Sequence, residues 1–244
     1  MTEKKYAILG DIHANIDALE AVLADAQEQG VTDYTCVGDI VGYNAAPREC
    51  LEKIQAVSSV TVRGNHDHYC SHPYSDNEMH DEALEVIEWT KQQLTPEHLD
   101  WLGELPLQAN LGAAFMLVHS TLDMPEQWGY VFDPLEAEAS MGNQRLILCF
   151  CGHTHVPVVF EKQQTVARLP AETLNLQLGR KYFINAGSVG QPRDRNPLAS
   201  YCIYDPKERT VIFRRVAYDI AKAQERIIAA GLPGYLAHRL TVGK

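Results

Sequence analysis

Side chains that commonly bind metal ions stand directly after five short apolar segments of this sequence. Asp11 and His13 follow residues 6–9 in the run Gly-Asp-Ile-His, and Asp39 follows residues 34–37. Four further candidate ligands also follow apolar segments: Asn65 in Gly-Asn-His-Asp, His119 after residues 115–118, and His153 and His155 in Gly-His-Thr-His. Glycine precedes four of these groups, at positions 10, 38, 64 and 152, and lets the backbone turn sharply there.

Carboxylate, amide and imidazole ligands together suit two divalent cations. They favour first-row metals, with Mn²⁺ as the first expectation and Fe, Zn²⁺, Ni²⁺ or Co²⁺ as alternatives. Asp-x-His and His-x-His each direct two ligands to one side of an extended segment. Asp39 could bridge two metals about 3.5–4 Å apart, and the metal pair would lower the pKa of a shared water and so supply hydroxide for attack at phosphorus. We therefore expect Asp39 to be catalytic as well as a ligand.

The elements that must position these ligands alternate in the first half of the chain. The pattern predicts strands at 6–9, 34–37 and 60–62, a helix at 16–29 that Gly30 ends, and a helix at 47–55. Repeated βα units indicate a mostly parallel or mixed sheet covered by helices. Ligands of such a sheet bind beyond the carboxyl ends of its strands, where these side chains stand.

The second half begins with a change of character at residues 68–110, which are polar and helical, with helices at 81–94 and from Thr95-Pro96. The remaining predicted elements are strands at 115–118, 146–150, 156–160, 181–185, 200–204 and 210–216 and a helix at 219–230. With no repeat or linker, we expect one domain over 1–244. The 68–110 insertion lies between two ligand groups, so it is either a cap that selects substrates by size or a peripheral helical pair.

Composition excludes several classes of function. The net charge of −11 disfavours nucleic acid as a partner, because an acidic surface repels a polyanion. No run reaches the roughly 18 apolar residues of a membrane span, and the first apolar run is too short for a signal peptide. We therefore expect a cytoplasmic protein with no membrane partner. The spacing of the six cysteines indicates buried free thiols and no disulfide framework.

The order of these motifs, from residue 10 to residue 155, resembles the calcineurin-like metallophosphoesterase family. The resemblance implies an α/β fold, a two-sheet α/β/β/α sandwich with a helical insertion. It also implies that His66 contacts the phosphate and protonates the leaving group. The segment from Asn185 to Arg193 looks like the closing motif of a bacterial and archaeal small-phosphoesterase subgroup, which would bring Arg193 near the site. The resemblance divides the ligands into Asp11, His13 and His155 for one metal and Asn65, His119 and His153 for the other, with Asp39 bridging.

One departure from the family pattern concerns substrate recognition. Protein Ser/Thr phosphatases and symmetrically cleaving dinucleoside tetraphosphatases continue the second motif as Gly-Asp-x-Val-x-Arg-Gly, whereas this chain has Tyr43 in place of the arginine. Position 42 is glycine, so no acid there orients His66. This argues against a protein phosphatase. Arg63 and Arg193 are the candidates to replace the lost cation, since a guanidinium can bind two phosphate oxygens.

Alternatives remain open for several of these residues. Arg63 could be a structural partner of an acidic helix, Arg193 could belong to a solvated loop, and His66 could merely brace a ligand. Tyr43 and Asn44 either line the substrate pocket or cap the helix near Pro47. Asn65 is expected to contact the substrate as well as a metal.

The predicted activity is hydrolysis of phosphate mono- or diesters of a small phosphorylated substrate, with nucleotides among the candidates. An asymmetrically cutting dinucleoside polyphosphate hydrolase is the alternative enzyme. The non-enzymatic alternative is a scaffold that binds a protein partner, as a trafficking-complex subunit of the same family does. The intact ligand set favours an enzyme over the scaffold, and the sequence indicates no oligomeric state.

Overall fold

The structure is a computed structural model that describes residues 4–74 and 81–244, except for the side chains of 81–83. Its strands are β1 Tyr6–Leu9, β2 Asp33–Cys36, β3 Ser58–Thr61, β4 Gln108–Leu111, β5 Phe115–Val118, β6 Leu148–Cys151, β7 Val158–Lys162, β8 Val166–Leu169, β9 Leu174–Asn175, β10 Lys181–Asn185, β11 Ala199–Asp205 and β12 Thr210–Val216. Its α-helices are α1 Ile16–Glu28, α2 Pro47–Val57, α3 Asn65–Ser71, α4 Asp81–Gln93, α5 Pro96–Glu104, α6 Pro134–Gly142, α7 Ile220–Ala229 and α8 Gly234–Val242.

The strands form two mixed six-stranded sheets. The first has the order β3-β2-β1-β11-β12-β9, in which β1, β2 and β3 are parallel and β11 runs antiparallel to β1. The second has the order β4-β5-β6-β10-β7-β8, in which β5, β6 and β10 are parallel. Five of the parallel strands, β1, β2, β3, β5 and β6, lead into ligand loops, and the sixth, β10, leads into the predicted closing motif. All six overlap strands predicted from the sequence.

Three layers of apolar side chains explain why the sheets stack between helices. Strand β1 is buried on both faces: Ala7 and Leu9 pack with α1 and α2, while Tyr6 and Ile8 pack against the second sheet. A third cluster lies between the second sheet and Ala137 of α6. This confirms the predicted α/β/β/α sandwich.

The predicted helical stretch 68–110 contains the end of α3, then α4 and α5, and it ends in strand β4. Ile87 of α4 and Leu102 of α5 are fully buried in the cluster that α1 and α2 share with the first sheet. Part of the proposed cap, residues 75–80, lies outside the described residues. The cap and the single-domain organisation therefore stay predictions.

Some elements differ from the sequence-based expectation. Strands β6 and β7 each begin two residues later than predicted, and the apolar Ile147 that precedes β6 is 48% exposed. The short strands β4, β8 and β9 and the helices α3, α6 and α8 were not predicted. All six cysteines are buried and free, as expected. No helix in the described part of the chain is long and apolar enough to cross a bilayer.

Candidate metal centre

The loops that follow β1, β2 and β6 carry their ligands on an unusual backbone. Asp11, His13, Asp39, His153 and His155 all have positive φ, between 47° and 70°. A positive φ is uncommon outside glycine and costs roughly 1–3 kcal/mol, so it persists only where the surroundings enforce it. Its concentration on five of the seven predicted ligands marks these loops as a functional site.

The structure brings the predicted ligands together in two groups that share Asp39. Among the described residues, the first group is Asp11, His13, Asp39 and His155, and the second is Asp39, His119 and His153. Within each group the ligand atoms lie within 4.8 Å of one another, and every side chain is buried. Asn65 joins the second group, because its Oδ1 lies 3.2 Å from His119 Nε2.

Each of the four predicted ligand histidines has one ring nitrogen facing a main-chain carbonyl. The nitrogens and their carbonyl partners are His13 Nδ1 with Val41 (3.1 Å), His119 Nδ1 with Val37 (2.8 Å), His153 Nε2 with Trp128 (2.8 Å) and His155 Nδ1 with Gln191 (2.6 Å). A carbonyl only accepts, so in each case the facing nitrogen carries the hydrogen and donates it. The other nitrogen of each ring then faces the ligand group, where it presents a lone pair whenever the ring is neutral, as in known metal sites.

The facing lone pairs fit a cation between them. His13 Nε2 and His155 Nε2 lie 3.0 Å apart, and burial holds the pKa of both imidazoles well below the ordinary value, so both are neutral. Two lone pairs at this distance repel one another. The spacing is that of two ligands about 2.1 Å from one cation at roughly a right angle. The residues therefore fit a metal ion on their donor chemistry.

Burial also shapes the remaining ionisable groups. It lowers the pKa of His153 to about 3 and that of His66 to about 4. Burial disfavours a charged His119 as well, but the adjacent Asp39 carboxylate outweighs it and raises the pKa of His119 to about 9. The Asp39 Oδ2 atom lies 3.3 Å from His119 Nε2 and 3.5 Å from His13 Nε2, at the junction of the two groups.

His66 lies beside this centre at the start of α3. Its main-chain N–H donates to Asp39 Oδ1 at 2.9 Å, and its ring packs against those of His13 and Tyr43, with centroids 4.8 and 4.3 Å away. Gly42, at φ +89°, touches the His66 ring so closely that any side chain there would collide with Nδ1. Glycine is therefore required at position 42 for steric reasons, which explains why no acid stands there. The buried Nδ1 of His66 has no hydrogen-bond partner among the described residues.

Asp67 holds the Asp39 loop and was not assigned a role from the sequence. Its Oδ2 accepts main-chain N–H groups from Asp39 at 2.8 Å and Gly64 at 3.0 Å. Its Oδ1 accepts from Ile40 at 2.9 Å and Val41 at 3.3 Å. An acid three residues after a glycine N-cap was a usable sequence signal, because that position commonly reaches back to main-chain N–H groups.

The predicted closing motif, residues 185–193, fastens the other side of the centre. Ser188 Oγ donates to the Asp11 carbonyl at 2.7 Å, and Asn185 Nδ2 donates to Thr154 Oγ1 at 3.0 Å. The Gln191 carbonyl holds His155, as described above, and the Arg193 N–H donates to the His155 carbonyl at 3.2 Å. This motif therefore supports two of the ligand loops.

The two candidate arginines are placed differently. The Arg63 guanidinium lies between the C-terminal end of α3 and α5, where Nη1 donates to the Gly103 carbonyl at 2.6 Å and lies 3.1 Å from His72 Nε2. The structure does not bring it to the ligand groups, so its substrate role stays a prediction. Arg193 lies over the Tyr43 ring, with Cζ 5.6 Å from the centroid. Its positive charge favours the ionised form of Asp11 and the neutral forms of His13 and His66, because it lowers the pKa of each.

Two residues near the site resolve or extend the sequence-based alternatives. Asn44 does not cap α2; its Nδ2 donates to the His13 carbonyl at 2.7 Å and so steadies a ligand loop. Arg239 of α8 was not considered from the sequence, yet its Cζ lies 5.9 Å from the Tyr43 centroid. No local pattern distinguishes Arg239, because its position depends on how α8 docks.

Two mixed sheets covered by helices, with a buried Asp/His group beyond the ends of their parallel strands, are the architecture of the metallophosphoesterase fold. The sequence matches the calcineurin-like phosphoesterase superfamily domain over residues 5–209, and the chain belongs to that superfamily.

Individual relatives agree with this assignment. An uncharacterised protein of Methanocaldococcus jannaschii is 38% identical over 248 residues and covers all of both chains. The crystal structure of a metallophosphoesterase from Sphaerobacter thermophilus is 39% identical, with a TM-score of 0.89 over the whole of both chains. A hypothetical protein from Pyrococcus horikoshii, 21% identical, shares the fold with a TM-score of 0.78 over 98% of each chain.

Proposed function

We propose that this chain hydrolyses phosphate mono- or diesters of a small substrate with two divalent metal ions, Mn²⁺ first among them. One observation carries the proposal: two buried ligand groups share Asp39, and each of their histidines is held by a carbonyl so that its free nitrogen faces the group. The six buried free thiols are compatible with a reducing, cytoplasmic location.

The candidate ligands would form two metal positions. Asp11, His13 and His155 would hold one cation, Asn65, His119 and His153 the other, and Asp39 both. When bound, the cations neutralise the phosphate oxygens and activate water for attack at phosphorus. Asn65 would also donate from its amide nitrogen to a phosphate oxygen, a role supported by its Oδ1 being turned to His119.

His66 is the proposed proton donor to the leaving oxygen. Its main-chain N–H holds the Asp39 carboxylate, and its ring is wedged between Tyr43 and His13 at the edge of the centre. A general acid must carry its proton at the pH of the reaction. Burial lowers the pKa of His66 to about 4, so this role requires the negative charge of a bound phosphate to raise that pKa.

The test compares wild type with Asp39→Asn, and with Asp100→Asn as the control because Asp100 is exposed on α5. Metal content by mass spectrometry and hydrolysis of p-nitrophenyl phosphate are measured on the same samples. We expect two metals per wild-type chain and, for Asp39→Asn, loss of metal and at least a roughly 100-fold loss of activity. Full hydrolysis with the metals lost would refute the two-metal proposal.

A substrate panel separates the alternatives. Bis(p-nitrophenyl) phosphate and diadenosine tetraphosphate, assayed beside p-nitrophenyl phosphate with Mn²⁺ added, distinguish diesterase, dinucleoside polyphosphate hydrolase and monoesterase. Metal-loaded protein that hydrolyses none of the three would favour the scaffold.

A further inference from the structure

Two arginines from distant parts of the chain lie over one aromatic ring at the edge of the metal centre. Arg193 Cζ is 5.6 Å and Arg239 Cζ 5.9 Å from the centroid of Tyr43. The same ring lies 4.3 Å from the His66 ring and 4.6 Å from the His13 ring. The two guanidinium groups are therefore next to the place where a phosphate would be hydrolysed.

In the described part of the chain, neither of these guanidinium groups is paired with an acidic side chain. Among the described residues, the Arg193 guanidinium donates only to the Gln191 side-chain oxygen, at 3.0 Å from Nη2. Arg239 Nε donates to the main-chain oxygen of Lys244, the last residue of the sequence, at 2.6 Å. Other arginines of the molecule are paired with carboxylates: Arg214 with Asp25, Arg215 with Asp194 and Arg226 with Asp17. A chain with a net charge of −11 has ample acid to pair them all.

The two charges are held close enough to repel one another. Burial lowers the pKa of Arg239, and the charge of Arg193 lowers it further. Both side chains are half-buried, which weakens screening by water. An anion between or beside the two groups would relieve this repulsion.

The arrangement is built into the fold. Leu236 and Leu240 of α8 are buried with Val86 of α4. The C-terminal end of α8 is fastened to the loop that carries Arg193, because the Arg195 N–H donates to the Gly243 carbonyl at 2.8 Å. Gly243 has φ +62° and sits against the Asn196 backbone, where a side chain would collide.

Tyr43 is fixed as firmly. It has a positive φ, +63°, as five of the predicted ligands also do. The two guanidinium groups beside its ring come from two later segments of the chain. A positive φ at an aromatic residue is unfavourable, and such strain clusters at functional sites. Here it holds the ring beside two guanidinium groups, which the ring attracts.

We propose that Arg193, Tyr43 and Arg239 form a subsite for a second anionic group of the substrate, a phosphate or carboxylate other than the group that is hydrolysed. This inference rests on the proposed function and narrows its substrates to phosphate esters that carry a further negative charge. Guanidinium groups suit that role because each can offer two N–H donors to one phosphate or carboxylate.

The kinetic test uses pairs of substrates that differ only in the second anion. Glycerol 2-phosphate is compared with 2-phosphoglycerate, and adenosine 5′-monophosphate with adenosine 3′,5′-bisphosphate, using metal-loaded full-length protein. We expect kcat/KM to favour the more anionic member of at least one pair by about tenfold, the effect of one charge-assisted contact. Arg239→Gln should reduce that ratio towards one, chiefly through KM, and Arg239→Lys should retain part of it.

Arg168→Gln is the matched control, because Arg168 is exposed on β8 of the second sheet and its loss removes the same charge. Arg168→Gln should leave kcat/KM unchanged for both substrates of each pair. Absence of any preference in wild type would overturn the inference, and so would an Arg239→Gln variant that slows both members of a pair by the same factor.

A binding measurement separates this inference from the proposed function. Methylphosphonate and phosphonoacetate, which cannot be hydrolysed as esters, differ by one carboxylate, and calorimetry gives their affinities for metal-loaded protein. We expect phosphonoacetate to bind about tenfold more weakly to Arg239→Gln than to wild type. If that loss occurs but no ester is hydrolysed, only the proposed function fails. If esters are hydrolysed and the loss does not occur, only the subsite fails.

Discussion

Replacing Asp67 with asparagine tests whether one buried carboxylate holds the shared ligand in place. Each of the two Asp67 oxygens accepts two main-chain N–H groups. Three of the four N–H groups belong to the Asp39 loop and the fourth to Gly64. An asparagine has only one acceptor atom. Whichever way its amide is turned, two of these four N–H groups then face an NH₂ group.

The expected cost follows from those contacts. A hydrogen bond to a buried charged group contributes about 1.5–3 kcal/mol, so losing two costs about 3–6 kcal/mol in the free energy of unfolding. In a domain of 150–250 residues each kcal/mol lowers the unfolding midpoint by about 2–4 °C, so Asp67→Asn should unfold roughly 6–24 °C below wild type. The released loop should also weaken metal binding by about 10–100-fold, as for other residues that orient a ligand.

Thermal unfolding followed by circular dichroism and a Mn²⁺ titration measure the two effects. Asp100→Asn makes the same chemical change at an exposed site on α5 and should behave as wild type. If Asp67→Asn melts with the control and binds Mn²⁺ as tightly, the Asp39 loop is held by something other than Asp67, and the reasoning is wrong.

Two further changes test other parts of the structure. His66→Ala should lower turnover by roughly 10²–10⁴-fold, the range of a general acid, and keep both metals, because the contact to Asp39 comes from the main chain of residue 66; unchanged turnover in a steady-state assay would leave His66 only a bracing role. Asp25→Asn should lower the free energy of unfolding by about 1–3 kcal/mol at pH 7, because Asp25 accepts charged hydrogen bonds from Arg214. Those bonds hold the pKa of Asp25 below 3.8, so the stabilisation is present above that pH and is lost as the pH falls through the folded-state pKa; urea unfolding at pH 7 and pH 3 should show the difference between wild type and variant shrinking, and a difference equal at both pH values would contradict it.

Local patterns were sufficient for the central strands and for most helices. β1 and β2 were predicted because short apolar runs end at glycine, and α1 because its apolar positions recur at helical spacing up to Gly30. Short edge elements were missed, since strands such as β8 and β9 obtain their pairing from neighbours that a local window does not contain. Helix α8 was missed for a related reason: its apolar residues are explained by the contact with α4 and α7.

By itself the sequence determined which residues are available as ligands and the edge at which they stand. That was possible because metal-binding chemistry depends on side-chain type, and because each motif directly follows a strand whose end is set by local apolar patterning. Tertiary structure alone decided the direction of the charged side chains around the centre. Arg63 points to Gly103, while Arg239, distant in sequence, reaches Tyr43 because α8 docks beside the Arg193 loop. A long flexible guanidinium takes its direction from packing and charge partners contributed by distant segments, and no local pattern encodes these.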